Sequence, residues 1–304
     1  MLRNTLLWAS TNPFLAKKLP TYRFVQRATK RFMPGADLDA ALVEAKALAA
    51  NGVTTTTTLL GENLVSLDEA DRVVDHYVGG LKEIEARGLD VEISVKPTQI
   101  GIDFGVDEAR KRLGQIAAST TSLVWVDMES SEYVDRTLDI FRTVKEEQGN
   151  VGLCIQSYLH RTEADLQALM PLQPDIRVVK GAYNEPPEVA FPKKSDVDRN
   201  FVKLSQTLLR ARLGGSAGRP VFGTHDPNMI GEANRIALEL GLEKDRHEFA
   251  MLFGIQRDEQ VRLARTGHKV RVLVSYGAAW FPWYMRRLAE RPANLLFVAK
   301  QLVR

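Results

Sequence analysis

Arg177 stands inside the apolar run IRVV (176–179), and Lys180, Gly181 and Ala182 follow where that run stops. A guanidinium among apolar residues needs an anionic or hydrogen-bonding partner wherever it points. Small residues beside it let a ligand lie against the backbone. Lys96 follows VEISV (91–95), and Asp127 follows SLVWV (122–126). Two readings of this pair stand: structural ions that hold each other, or a lysine for a substrate carboxylate beside an aspartate for a neighbouring polar group. Thr224, His225 and Asp226 close PVFG (220–223); taken alone, His225 reads as a hydrogen-bonded core histidine. Further along, Arg286 and Glu290 are four residues apart and Arg287 and Glu290 three, so they share a helical face. A solvated pair of that kind is worth about 0.3–0.5 kcal/mol. Arg before Glu is the weaker order for plain helix support, and Trp280, Phe281, Trp283 and Tyr284 precede the arginines. Two adjacent guanidiniums in an apolar setting can clamp one carboxylate.

These residues need elements to place them. Eight short apolar runs read as strands: 53–60, 91–95, 122–126, 151–155, 176–179, 220–223, 248–252 and 270–274. Each is followed by a helix-length segment. Strand–helix alternation repeated eight times predicts an α/β fold, a (β/α)8 barrel, with its active site at the C-terminal strand ends. Glu62, Lys96, Asp127, Gln156, Lys180, Thr224 and His225 sit just past those ends. Helices are expected over 67–87, with Asp68 near its cap, over 131–147, and over 226–240, where Pro227 suits a first turn. The stretch NEPPEVAFPKKSD (184–196) carries three prolines and predicts an ordered loop over the active face. It reads either as a lid over a cofactor or as a passive connection. GGSAG (214–218) lies between a helix and a strand, the wrong order for a dinucleotide fingerprint, and reads as a helix-ending turn. The expected organisation is an N-terminal helical segment, 1–50, and a barrel, 51–304.

The chain has 304 residues, 44% hydrophobic and 26% charged, the composition of an ordinary soluble globular protein. A barrel takes about 250 residues. The single cysteine, Cys154, lies in an apolar strand and reads as a buried inert thiol in a reducing compartment. Residues 1–36 carry seven lysines and arginines and no acidic residue. They read as helices packed across the barrel with basic outer faces, or as a foot for anionic lipid. No apolar stretch reaches the length of a membrane span.

The segments LLGE (59–62), SVK (94–96), VDMES (126–130), IQSY (155–158), RVVKGAYNEP (177–186), THD (224–226), EFAMLFGI (248–255) and RRLAERPAN (286–294) occur in this order. Together they resemble the proline dehydrogenase family, the stand-alone bacterial flavoenzymes related to the dehydrogenase domain of proline utilization A. The resemblance implies a distorted (β/α)8 barrel with N-terminal helices and FAD at the C-terminal face. It implies oxidation of L-proline to Δ1-pyrroline-5-carboxylate by hydride transfer from proline C5 to flavin N5. Electrons would pass to a membrane quinone, from a cytoplasmic protein with peripheral contact to the inner membrane; no nucleic acid is implied. Lys96, Arg286 and Arg287 would bind the proline carboxylate, with Glu290 orienting the arginines and Glu62 pairing with Arg286 as a gate. Tyr183 and Leu252 would pack around the ring. Asp127 would position substrate and flavin neighbours, and Arg177 would stabilise the reduced flavin near N5. Met128, Gln156, Val179, Lys180, Gly181, Ala182, Thr224 and His225 would line the FAD.

Two positions depart from the family. Trp283 stands where a tyrosine is usual three residues before the arginine pair, and Leu273 replaces another in the last strand. Trp283 still offers an apolar wall, whereas Leu273 has no donor. A related cyclic amino acid therefore stays open as substrate. So do a flavin-binding barrel without turnover, a Schiff-base aldolase using Lys96 or Lys180, and a divalent-metal enzyme using Asp127, Glu129, His225 and Glu248.

Overall fold

The structure, a computed structural model, describes residue 12, residues 32–61 and residues 64–280. Strands over Val91–Val95, Val124–Val126 and Val151–Gln156 are buried at every position. That is how parallel strands covered on both faces read, as apolar runs without alternation. The eight strands are β1 (Thr54–Leu59), β2 (Val91–Val95), β3 (Val124–Val126), β4 (Val151–Gln156), β5 (Asp175–Val179), β6 (Pro220–Gly223), β7 (Glu248–Leu252) and β8 (Lys269–Tyr276). All pair in parallel, in chain order, and β8 closes on β1. The chain thus forms the expected barrel. β3 is shorter than its apolar run, because Ser122 and Leu123 precede the ladder.

Eight α-helices lie among the described residues: α1 (Leu38–Ala49), α2 (Leu67–Ala86), α3 (Val106–Ala118), α4 (Val134–Gln148), α5 (Thr162–Leu169), α6 (Lys194–Leu213), α7 (Pro227–Glu239) and α8 (Arg257–Arg265). Ala70, Val74, Tyr77, Leu81 and Ile84 recur at helical spacing and bury one face of α2. Its cap is Ser66, whose hydroxyl accepts from the Glu69 amide at 3.3 Å. Asp68 lies inside the first turn, where its charge suits the helix dipole. In α7, Asp226 is the cap and Pro227 opens the helix. Gly214 caps the C-terminus of α6 and Gly215 takes φ +75°, so 214–218 is the expected turn.

The irregular segment after β5 ends at Lys193, and the last three residues of the expected loop belong to α6. The segment is fastened along its length. Leu159 and Ala190 form a β-bridge, and the Phe191 amide donates to the Tyr158 carbonyl at 2.7 Å. The Glu185 carboxylate accepts from the Ser131 amide at 2.8 Å and hydroxyl at 2.6 Å.

Strand side chains alternate, and the inward set is unusually polar. At the base, Arg271 reaches Glu248 at 3.0 Å and Glu92 at 3.3 Å, while Arg219 reaches Glu92 at 2.6 Å. The indole of Trp125 donates to Glu92 at 2.7 Å. Buried charges persist only when paired in this way. This ionic layer closes the bottom of the barrel.

Candidate active site

Above the ionic layer, period-two alternation turns Ser94 and Lys96 of the β2 edge, Asp127 after β3, Arg177 of β5 and Gln156 of β4 toward the same mouth. Arg177 and Asp127 are in direct contact. Ser94 lies between them: its hydroxyl donates to Asp127 Oδ1 at 2.8 Å and accepts from Arg177 Nη2 at 2.9 Å. Lys96 Nζ stands 3.7 Å from Asp127 Oδ2. One carboxylate therefore holds two cations. The Arg177 guanidinium also lies over the Trp125 ring, 4.8 Å from its centroid. Burial works most strongly against the Arg177 charge, but Asp127, Cys154 and Glu92 together outweigh it and the pKa moves upward. Lys96 and Asp127 thus form an ion pair, with Lys96 the looser of the two cations on that carboxylate.

The opposite rim is built from β4 to β7. Gln156 Nε2 donates to the Met128 carbonyl at 3.2 Å, while its Oε1, buried, has no partner. An orphaned buried acceptor is satisfied by a donor from a water or a ligand. Val179, Lys180, Gly181, Ala182 and Tyr183 form the adjoining half-buried edge. Gly181 takes φ +116°, and a Cβ there would come within 2.3 Å of the Tyr158 ring. No other residue fits. At Gly223, a Cβ would meet Val179 Cγ1 at 2.7 Å, so β6 also presents bare backbone.

Lys180 does not offer a free amine. It bridges Asp198 at 2.5 Å and Asp226 at 2.8 Å, and Lys194 joins the same two carboxylates. Burial works against the Asp226 charge, but Lys180 and the Asn228 amide hold its pKa down at about 2. Thr224 accepts from the Asp226 amide at 3.0 Å, which shapes the turn into α7. His225 Nε2 accepts from the Leu252 amide at 2.8 Å. An amide can only donate, so the His225 proton sits on Nδ1. Leu252 and Leu273 are register partners and face the mouth side by side.

The metal set is not brought together. Glu248 lies in the basal ionic layer, His225 serves the Leu252 amide, and Glu129 grips the amide and hydroxyl of Thr98 at 2.9 and 2.8 Å. Among the described residues no cluster of metal-ligating side chains occurs. Glu62, Trp283, Arg286, Arg287 and Glu290 lie outside the described residues. Sequence reasoning passed over Ser94, although it stands two residues before Lys96 in a strand and so must share its face. It also passed over Asp198, whose pairing with Lys180 joins segments 18 residues apart and has no local signal.

Comparison with known proteins follows the same lines. A family model described as proline dehydrogenase matches residues 41–300. Proline dehydrogenase 1 of Bacillus subtilis subsp. natto is 36% identical over 307 residues, 100% of both chains. Proline dehydrogenase of Deinococcus radiodurans is 36% identical over 284 residues, 90% of each. Among solved structures, proline utilization A from Bdellovibrio bacteriovorus, inactivated by N-propargylglycine, matches with a TM-score of 0.83 at 23% identity. That match covers 95% of this chain and 36% of the larger one, and it shows the shared fold.

Proposed function

This chain belongs to the proline dehydrogenase family, and from that premise we propose that it oxidises L-proline to Δ1-pyrroline-5-carboxylate with FAD as cofactor and a membrane quinone as final acceptor. The observation that carries the reading is the mouth itself: a cationic cluster of Lys96 and Arg177 on one carboxylate, facing a rim of bare backbone and one orphaned amide oxygen. FAD, when bound, supplies the hydride acceptor. The Gln156 oxygen suits the imide N–H of an isoalloxazine, and the backbone at Gly181 and Gly223 suits a flat ring. Met128, Val179, Lys180, Ala182, Thr224 and His225 complete that lining.

The remaining residues bind and orient. Lys96 takes the proline carboxylate, together with Arg286 and Arg287, which Glu290 and Glu62 orient and cover. Arg177 places a permanent positive charge beside the reacting centre, and charge placed in advance stabilises charge that develops later. Both Asp127 oxygens are occupied, which suits holding cations rather than taking a proton. Leu252 and Leu273 give the ring an apolar wall that excludes water, with Tyr183 and Trp283 as further walls. An unsubstituted pyrrolidine suits that wall better than a ring bearing a hydroxyl. The basic segment 1–36 supplies the peripheral contact that delivery of electrons to a quinone requires. Among the described residues no helix is long and apolar enough to cross a membrane.

The test is a visible spectrum before and after anaerobic addition of L-proline. Bands near roughly 370 and 450 nm that bleach on addition support the reading. Bands that persist keep the flavin and remove proline as the substrate. A protein that FAD cannot turn yellow overturns the proposal.

A further inference from the structure

The hydrogen-bond ladder between β1 and β2 stops in mid-strand, and side chains continue it. Thr57 pairs with Ile93 in register, and the Thr55 amide donates to the Asp90 carbonyl. In a parallel ladder of that phase the next two rungs would be Leu59 N–H to Ser94 C=O and Lys96 N–H to Leu59 C=O. Neither forms directly. The Leu59 amide donates to the Tyr77 hydroxyl at 3.1 Å, and that hydroxyl donates to the Ser94 carbonyl at 3.1 Å. The Gln99 amide nitrogen donates to the Leu59 carbonyl at 2.8 Å, and its oxygen accepts from the Lys96 amide at 3.4 Å. Two consecutive rungs each contain an inserted side-chain group that is both donor and acceptor.

The inserts are held firmly. Tyr77 and Gln99 are each 1% exposed. Burial, ahead of the neighbouring groups, pushes the Tyr77 hydroxyl upward, so it stays a neutral donor. Glu129 grips Thr98 from the β3 side while Gln99 reaches β1, so the turn after Lys96 is clamped from both sides. Direct pairing ends at Thr57 and Ile93, and beyond it side-chain groups span the two strands. The residues at the inserted rungs are Ser94 of β2, which joins Asp127 to Arg177, and Lys96 just past its end, which approaches Asp127.

We propose that Tyr77 and Gln99 are positioning residues that hold the C-terminal ends of β1 and β2 apart and thereby set where Lys96 and the Ser94–Asp127–Arg177 cluster stand in the mouth. The assignment of a substrate carboxylate to Lys96 rests on the proposed function; the spacing itself does not. A hydroxyl and an amide are the groups the two rungs require, since each must accept from one strand and donate to the other. An apolar replacement of either residue leaves the strands free to pair directly or leaves that rung's two backbone groups unsatisfied.

The test uses the full chain with Tyr77→Phe and, separately, Gln99→Met, which have nearly the same shapes without the bridging atoms. A crystal structure of each is compared with the parent, and binding of cyclopentanecarboxylate, a ring carboxylate with no amine to oxidise, is measured by perturbation of the flavin spectrum. The expected result is closure of the altered rung toward a direct bond, with Lys96 moved relative to Asp127. The dissociation constant of cyclopentanecarboxylate and the KM for L-proline should rise on the order of tenfold, with kcat changed less, as misplacement of a binding group by about 1 Å would do. Strands that keep their separation with Lys96 unmoved would overturn the proposal, as would a lowered melting temperature with unchanged ligand binding in both variants. Should either variant fail to fold, the other decides. A parent protein that ignores L-proline would sink the functional reading alone, because the rung geometry is read in the crystal structures without turnover.

Discussion

His247 precedes β7 at the base of the barrel, 1% exposed, among the rings of Phe222, Phe249 and His268. Its Nε2 meets Asn234 Oδ1 at 3.3 Å, and its Nδ1 has no partner. Burial first, then the nearby His268, lower its pKa from 6.5 to about 4, and Asp245 opposes the shift weakly. A base with a lowered native pKa is neutral when folded and charged when unfolded at intermediate pH. The unfolded chain then binds the extra proton, so stability falls as pH drops from about 6.5 toward about 4. At 1.36 kcal/mol per pH unit, that gap comes to about 3 kcal/mol for this one side chain. The perturbation is His247→Leu, which keeps the volume and removes the titration. Urea unfolding at pH 7.5, 6, 5 and 4.5 gives the stability of parent and variant, and their difference removes the contributions of His76 and His268, which share the same sign. The parent should lose about 2–3 kcal/mol more than the variant across that window. Parallel stability curves for the two proteins would refute the reasoning, as would a His247 proton resonance titrating near 6.5.

Other perturbations probe the two ends of the barrel. Arg271→Met leaves Glu248 and Glu92 with Arg219 alone. It should cost about 3–5 kcal/mol near neutral pH, and less in acid, because burial raises the Glu248 pKa and the carboxyl can take up a proton; thermal melts at pH 8 and pH 5 check both. Gly181→Ala forces a Cβ into Tyr158 at a positive φ, so flavin retained through gel filtration should fall and the melting temperature should drop by the equivalent of about 2–5 kcal/mol. Arg286→Lys and Arg287→Lys should each raise the KM for L-proline with little change in kcat, because a planar fork becomes a point charge. An unchanged KM in both would remove the clamp assignment. Deletion of residues 1–36 should preserve dye-linked turnover and weaken sedimentation with anionic vesicles; undiminished sedimentation would make the basic segment structural.

The barrel was legible because parallel strands buried on both faces leave uninterrupted apolar runs, such as Val151 to Ile155, between polar breaks. Lys96, Asp127 and Arg177 were legible for a related reason: a charge at the end of such a run, or inside it, has to be answered by a partner. What the runs hide is how the partners are shared. Glu92 and Arg271 look like ordinary breaks in alternation, and only closure of the sheet brings them together below Trp125. Tyr77 sits at helical spacing with Ala70, Val74, Leu81 and Ile84 and reads as core. Its ring is core; its hydroxyl belongs to the sheet, and that depends on a strand spacing no sequence pattern encodes. Asp68 reads as the cap from the sequence, yet Ser66 caps the helix, because both residue types cap well and the choice is made by where the chain turns.

The segment fastened by the Leu159–Ala190 bridge and by Glu185 lies along the rim where a cofactor would rest. A rim of that kind governs residence time. If FAD sits beneath it as proposed, the cofactor would leave only after several of these hydrogen bonds break together, so its release would be slow even where affinity is moderate. A small substrate entering elsewhere around the mouth would meet no such obstacle. The same barrel could then turn over one ligand quickly while retaining the other through dilution and chromatography. The colour of the first purified fraction, and its persistence over days of dialysis, would report on that asymmetry.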